Sequence, residues 1–151
     1  MMAVDDSTIH GSAVLVGAKA VLIRGPAGSG KSQLTWNLLT AAAQGVVLFA
    51  RLVADDRVYV ENCAGRLLVR PPHALAGIIE IHGLGIRRVE FEALAAVALI
   101  VDLSAEDAAR YPEKKAQTVA IAGVTLPRLA VAAGMAPLPL VLGVLRTPPG
   151  G

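Results

Sequence analysis

The chain has 151 residues, of which 54% are hydrophobic and 17% charged, with 14 basic and 12 acidic side chains. That length supports one domain with a core of its own, and the apolar content excludes intrinsic disorder, which needs low hydrophobicity and high net charge. A net charge of +2 and 3% aromatic residues argue against nucleic acid as a partner, because they supply neither a basic footprint nor a base-stacking platform.

With so few aromatics, the core must be built from Ala, Val, Leu and Ile, as in buried α/β sheets. Cys63 is the single cysteine. It excludes an internal disulfide and a cysteine-based zinc cluster, and it leads to the expectation of a reducing, cytoplasmic setting. Met1 to Ser7 holds two acids, no basic residue and no apolar run, which is not the pattern of a secretory leader.

In chain order, Ala13–Val16 and Ala20–Ile23 flank Gly17-Ala18-Lys19 and predict a β-hairpin with a three-residue loop. Gly25 to Gly30 is glycine-rich. Lys31 to Ala43 has no Gly or Pro, and Leu34, Leu38 and Ala42 fall at i, i+4 spacing. This predicts a helix with one apolar face, ended by Gly45. Leu52-Val53-Ala54 leads into Asp55-Asp56. Arg57–Val60 and Arg66–Val69 predict a second hairpin, stopped by Pro71-Pro72. Gly77 to His82 reads as a strand with Ile79 and Ile81 on one face and Glu80 and His82 on the other, followed by a tight turn at Gly83-Leu84-Gly85.

Leu94 to Val101 is a continuous apolar run suited to a strand buried on both faces. Ser104 then has the character of a helix cap, with Ala105-Glu106-Asp107 in the first turn and Pro112 as the stop. Val119 to Leu126, before Pro127, predicts an edge strand. Leu129 to Leu145 is a charge-free run of 17 residues carrying Gly134, Pro137, Pro139 and Gly143. It is shorter than the about 18 residues that mark a transmembrane helix, and it predicts a buried core segment with a turn rather than a membrane span. Thr147–Gly151 is expected to be a disordered tail, leaving residues 1–146 as one domain. About seven strands and two or three helices make an α/β domain with a mixed sheet.

One motif carries chemistry. Gly25-Pro26-Ala27-Gly28-Ser29-Gly30-Lys31-Ser32 fits G-x-x-x-x-G-K-[ST] at every fixed position, between an apolar strand and a helix. Glycines let successive backbone N–H groups turn inward as an anion nest, and the following helix adds the positive end of its dipole. Lys31 would reach the β- and γ-phosphates, and the Ser32 hydroxyl is the expected magnesium ligand. The pattern therefore predicts a nucleoside triphosphate with Mg²⁺. Three places could supply a further acid: Asp102 after Val97–Val101, Asp55-Asp56 after Leu52–Ala54, and Glu80 between isoleucines, where an unpaired charge is costly to bury.

Taken together, Ile9-His10-Gly11, the loop Gly25–Ser32, Leu52-Val53-Ala54-Asp55-Asp56-Arg57-Val58 and Ile79-Glu80-Ile81-His82-Gly83-Leu84-Gly85-Ile86 resemble the HPr kinase/phosphorylase family. The resemblance spans roughly Ile9 to Leu129. It implies a single P-loop kinase domain of the HPr kinase C-terminal type, a mixed β-sheet with flanking helices, in the short form known from alphaproteobacteria. It implies ATP and Mg²⁺, a serine of an HPr-like phosphocarrier protein of the phosphotransferase system as acceptor, and a hexameric homo-oligomer. By the same resemblance, His10, Lys31 and Asp56 match active-site positions, with Asp56 taking the serine proton. Gly25, Pro26, Ala27, Gly28, Ser29, Gly30, Lys31 and Ser32 match the nucleotide loop, and Ser32 and Glu80 match the magnesium ligands.

Two positions depart from the family's pattern. His82 stands where the family has arginine, and a histidine does not hold phosphate bidentately as a guanidinium does. After Leu126-Pro127-Arg128 no arginine occurs where the family carries one in a P-V-R-P-G setting. The resemblance therefore implies the kinase reaction more directly than the reverse phosphorolysis. Two other readings stay open: a nucleotide-binding regulatory module with little or no kinase activity, and a small-molecule P-loop kinase using Asp102.

Overall fold

The computed structural model describes residues 7–150, and the expectations for residues 1–6 and for Gly151 lie outside them. A curled mixed sheet has the strand order β1-β5-β6-β9-β3-β2-β4, with β11 also paired to β9 and β10 to β11. Its strands are β1 Ile9–His10, β2 Ser12–Val16, β3 Lys19–Arg24, β4 Ala50–Ala54, β5 Arg57–Cys63, β6 Arg66–Arg70, β9 Ala95–Leu103, β10 Thr118–Ile121 and β11 Val124–Val131. A separate hairpin pairs β7 Ile78–Ile81 with β8 Gly85–Arg88. The helices are α1, Lys31–Ala43, and α2, Pro137–Arg146. The expected α/β domain with a mixed sheet is what the chain forms.

Strand β9 is the spine. It runs parallel to β3 along one edge, while its other edge takes β6 antiparallel near its start and β11 parallel near its end. Its apolar run serves both faces, as expected. Val97 and Ile100 join the layer closed by β5, β6, β10 and β11, and Leu99, Val101 and Leu103 join the layer under the helices. Strict alternation would put Val97 and Ile100 on opposite faces. A register shift opposite Ala20-Val21 skips Ala98 and restores the pattern. In α1, Leu34, Leu38 and Ala41 are the buried apolar stripe.

Five expectations need correction. The first hairpin turns on two residues, because Lys19 already pairs with Val16. The helix expected at Ser104 does not form: Ser104 has φ +53 rather than the extended conformation of a helix cap. Arg128 holds Asp107 with two N–H groups at 2.9 and 3.0 Å, pinning the segment to β11. Val119–Leu126 is not one strand but the hairpin of β10 and β11, turning at Ala122-Gly123, both at positive φ. The run Leu129–Leu145 divides into the end of β11, a turn, and α2, in which only Val141 is fully buried. Finally, the described residues form eleven strands rather than about seven, because short pairings such as β8 give little periodic signal. Among the described residues no helix is long and apolar enough to cross a membrane.

Candidate functional site: the phosphate loop and its carboxylates

Strand β3 ends at Arg24, and the chain closes a tight loop before α1 begins at Lys31. The Ser29 N–H donates to Pro26 O at 3.0 Å to shape it. Gly28 and Gly30 sit at φ +79 and +101, and a Cβ on either would meet no atom within 4 Å. Backbone conformation, not crowding, therefore demands glycine there, and the same conformation leaves a concave, open cradle of N–H groups. Lys31 is 7% exposed. Its ammonium donates to Gly25 O at 2.9 Å and Pro26 O at 3.2 Å, which holds it within the loop. Ser29 Oγ is buried without a partner, the one such side-chain atom among the described residues.

Beside the loop, β4 delivers two consecutive aspartates with different fates. Asp55 is 7% exposed. It accepts hydrogen bonds from Ser32 Oγ at 2.7 Å, Ser12 Oγ at 2.9 Å and the Glu80 N–H at 3.1 Å. One carboxylate thus ties the helix start, β2 and β7 together. Asp56 is exposed and takes φ +69, a left-handed conformation that Asp tolerates better than most residues. Its carbonyl accepts the Gly11 N–H at 3.0 Å. Glu80 is exposed mid-strand, while its neighbours Ile79 and Ile81 are buried against Leu52, as alternation predicted.

A cavity of about 520 Å³ opens between these elements. Ala27, Gly28, Gly30, Lys31, Ser32, Asp56, Glu80 and His82 border it, so residues from three separate segments converge. Gly25, Pro26 and Ser29 form the loop behind it. His10 does not border the cavity. It lies on β1 opposite Arg57, one residue from the Gly11 that grips Asp56.

Asp102 is not part of this site. Arg24 binds it bidentately at 2.7 and 2.8 Å, and Arg128 Nε donates to it at 2.6 Å. Burial alone would raise its carboxyl, but these hydrogen bonds and positive charges outweigh that and hold it below the usual carboxylate range. Its three hydrogen bonds and the two positive charges beside it suit a structural ion cluster and disfavour a metal cation there.

The sequence alone assigns no role to Asp55 beside Asp56 and gives no signal at Ser12. An acid at a strand end following a P-loop signalled Asp55 only weakly, and an isolated serine in an apolar strand signalled nothing. The donor set at the cavity fits Mg²⁺, a hard ion that prefers oxygen and needs few protein ligands beside phosphate and water. Ser32 Oγ and the Glu80 carboxylate are such donors, and no cluster of three or more His, Cys, Asp or Glu side chains occurs among the described residues.

Residues 2–136 match the family model described as the HPr Serine kinase C-terminal domain. Among curated proteins, the chain is 31% identical over 98 residues to the HPr kinase/phosphorylase of Clostridium tetani, covering 65% of this chain and 29% of the relative. It is 35% identical over 81 residues to that of Clostridium beijerinckii, covering 54% and 24%. The chain thus spans less than a third of the length of these relatives. Its fold is similar to the solved HPr(Ser) kinase/phosphatase of Coxiella burnetii, with a TM-score of 0.73 at 23% identity, over 93% of this chain and 89% of that one.

Proposed function

The chain belongs to the HPr serine kinase C-terminal domain family, and on that premise we propose that it transfers the γ-phosphoryl group of ATP to a serine of an HPr-like phosphocarrier protein. The observation that carries this reading is the convergence of Lys31, Ser32, Asp56 and Glu80 on one cavity beside the phosphate loop. The loop N–H groups and the helix dipole hold the phosphates, and Lys31 places a positive charge against them. Ser32 and Glu80 would hold Mg²⁺, which neutralises charge on the β- and γ-phosphate oxygens.

Asp56 receives the proton of the acceptor hydroxyl as the serine oxygen bonds to phosphorus and the bond to ADP breaks. Most of the rate comes from positioning and charge stabilisation rather than from this proton transfer. The reverse reaction has less support. Arg128, the arginine nearest in sequence to the family's loop arginine, is held by Asp102, Asp107 and the Ala116 carbonyl.

Incubation with γ-labelled ATP and the HPr-like protein of the same organism tests the reading. Acid-stable label on serine is expected in the wild type and absent in Lys31→Ala. Label that survives Asp56→Asn but disappears in a folded Asp102→Asn would overturn the residue assignment. Tight Mg-ATP binding with no label on any acceptor would favour the regulatory-module reading, which the engagement of Arg128 also favours.

A further inference from the structure

We infer that Ser12 is a positioning residue of this site: its one hydroxyl fixes both the carboxylate of Asp55 and the backbone from which Asp56 reaches the cavity. The catalytic meaning of the inference rests on the kinase reading. The geometry stands without it.

Ser12 is fully buried at the start of β2. The Asp56 N–H donates to Ser12 Oγ at 3.0 Å, and Ser12 Oγ lies 2.9 Å from Asp55 Oδ1. The directions are forced. A backbone N–H can only donate and an ionised carboxylate can only accept, so the hydroxyl accepts from Asp56 and donates to Asp55. The preceding residue completes the grip, since the Gly11 N–H donates to Asp56 O at 3.0 Å. Both backbone polar groups of Asp56 are thereby held by two consecutive residues, and this sustains a φ of +69 that the aspartate would otherwise leave readily.

The second half of the device concerns the metal side. Asp55 Oδ1 accepts from Ser12 and from Ser32, and Oδ2 accepts the Glu80 N–H. Rotating that carboxylate would release Ser32 and the middle of β7 together. Ser12 is a donor that opposes the rotation, because it comes from β2 and holds Oδ1 while the Glu80 N–H of β7 holds Oδ2. The hydroxyl is fully buried. In a strand reading Ser-Ala-Val-Leu-Val, an apolar residue would satisfy packing alone. A buried hydroxyl is compensated here only by the two bonds it makes to the aspartates.

The test compares Ser12→Ala with Val14→Ala, a cavity-forming change in the same strand that serves as a control for loss of stability. The first readout is amide exchange at Asp56 and Glu80 in the free protein. Exchange at both is expected to accelerate at least about tenfold in Ser12→Ala beyond any change in Val14→Ala. The second is calorimetric binding of ATP with and without Mg²⁺. Ser12→Ala should lose about tenfold of the affinity that Mg²⁺ adds, and keep its metal-free affinity.

If the two variants behave alike in both readouts, Ser12 is merely a packing residue and the inference fails. If the wild type binds no Mg-ATP, the kinase reading fails, while the exchange comparison still decides the role of Ser12.

Discussion

Replacing Asp102 by Asn separates a structural charge from a catalytic one. The carboxylate is 14% exposed and contacts guanidinium groups of Arg24 and Arg128 that are 31% and 13% exposed. Removing one partner of a fully buried ion pair costs about 3–5 kcal/mol. Arg24 can rehydrate at the surface, and Arg128 keeps Asp107 and the Ala116 carbonyl, so the loss here is about 2 kcal/mol. Urea unfolding should show this as a lower midpoint at unchanged slope. Thermal unfolding should show a melting temperature lower by about 4–8 °C. The pH dependence has a definite sign. Asp102 is held below its usual pKa, so its contribution is fully present above the unfolded carboxylate value and lost as pH falls through the folded one. The gap between wild type and Asp102→Asn should therefore stay constant from neutral pH down to about 4, then close in more acid solution. A variant within about 0.5 kcal/mol of wild type at pH 7, or a gap that widens with acid, would refute this account of the cluster.

Two further changes probe the loop and the core. Gly30→Ala must place a Cβ at φ +101, and it should weaken Mg-ATP binding by more than about tenfold in calorimetry while costing about 1 kcal/mol or more of stability. Leu38→Ala, at a fully buried position beneath the sheet, should cost about 2–5 kcal/mol by urea unfolding, with label transfer per folded molecule largely retained.

How far the fold could be read in advance depended on the range of the interactions involved. The phosphate loop and α1 were legible because Gly25–Ser32 and the Leu34–Leu38 spacing are local signals. The two-faced burial of β9 was legible from its unbroken apolar run. Where local and distant forces compete, the distant ones won. Ser104 to Asp107 has helix-starting chemistry, but it has no apolar stripe to bury, and Arg128 captures Asp107 from 21 residues away. Pro137 and Pro139 suggested a turn, yet both fit the first turn of α2, where backbone N–H groups have no intrahelical partner. The site divided in the same way. Lys31 and Ser32 were fixed by a motif. That Asp55 rather than Asp102 meets Ser32 is decided by distant partners, since Arg24 and Arg128 take Asp102 while Ser12 and the Glu80 N–H hold Asp55 against Ser32, and no short pattern encodes that.

The position of β9 in the chain has a consequence for biosynthesis. Strand β3, which aims the phosphate loop, finds its parallel neighbour only in β9, and Arg24 is clamped by an aspartate 78 residues later. A chain growing from its N-terminus carries the whole Gly25–Ser32 motif long before the partner strand exists. Hairpin β2–β3 can close at once, but the loop has no rigid floor until Leu103 has been made. On the kinase reading, a nucleotide-competent loop is thus expected late in synthesis, when long-range pairing closes the sheet. A ribosome-bound fragment ending before Ala95 should carry the motif and lack the site.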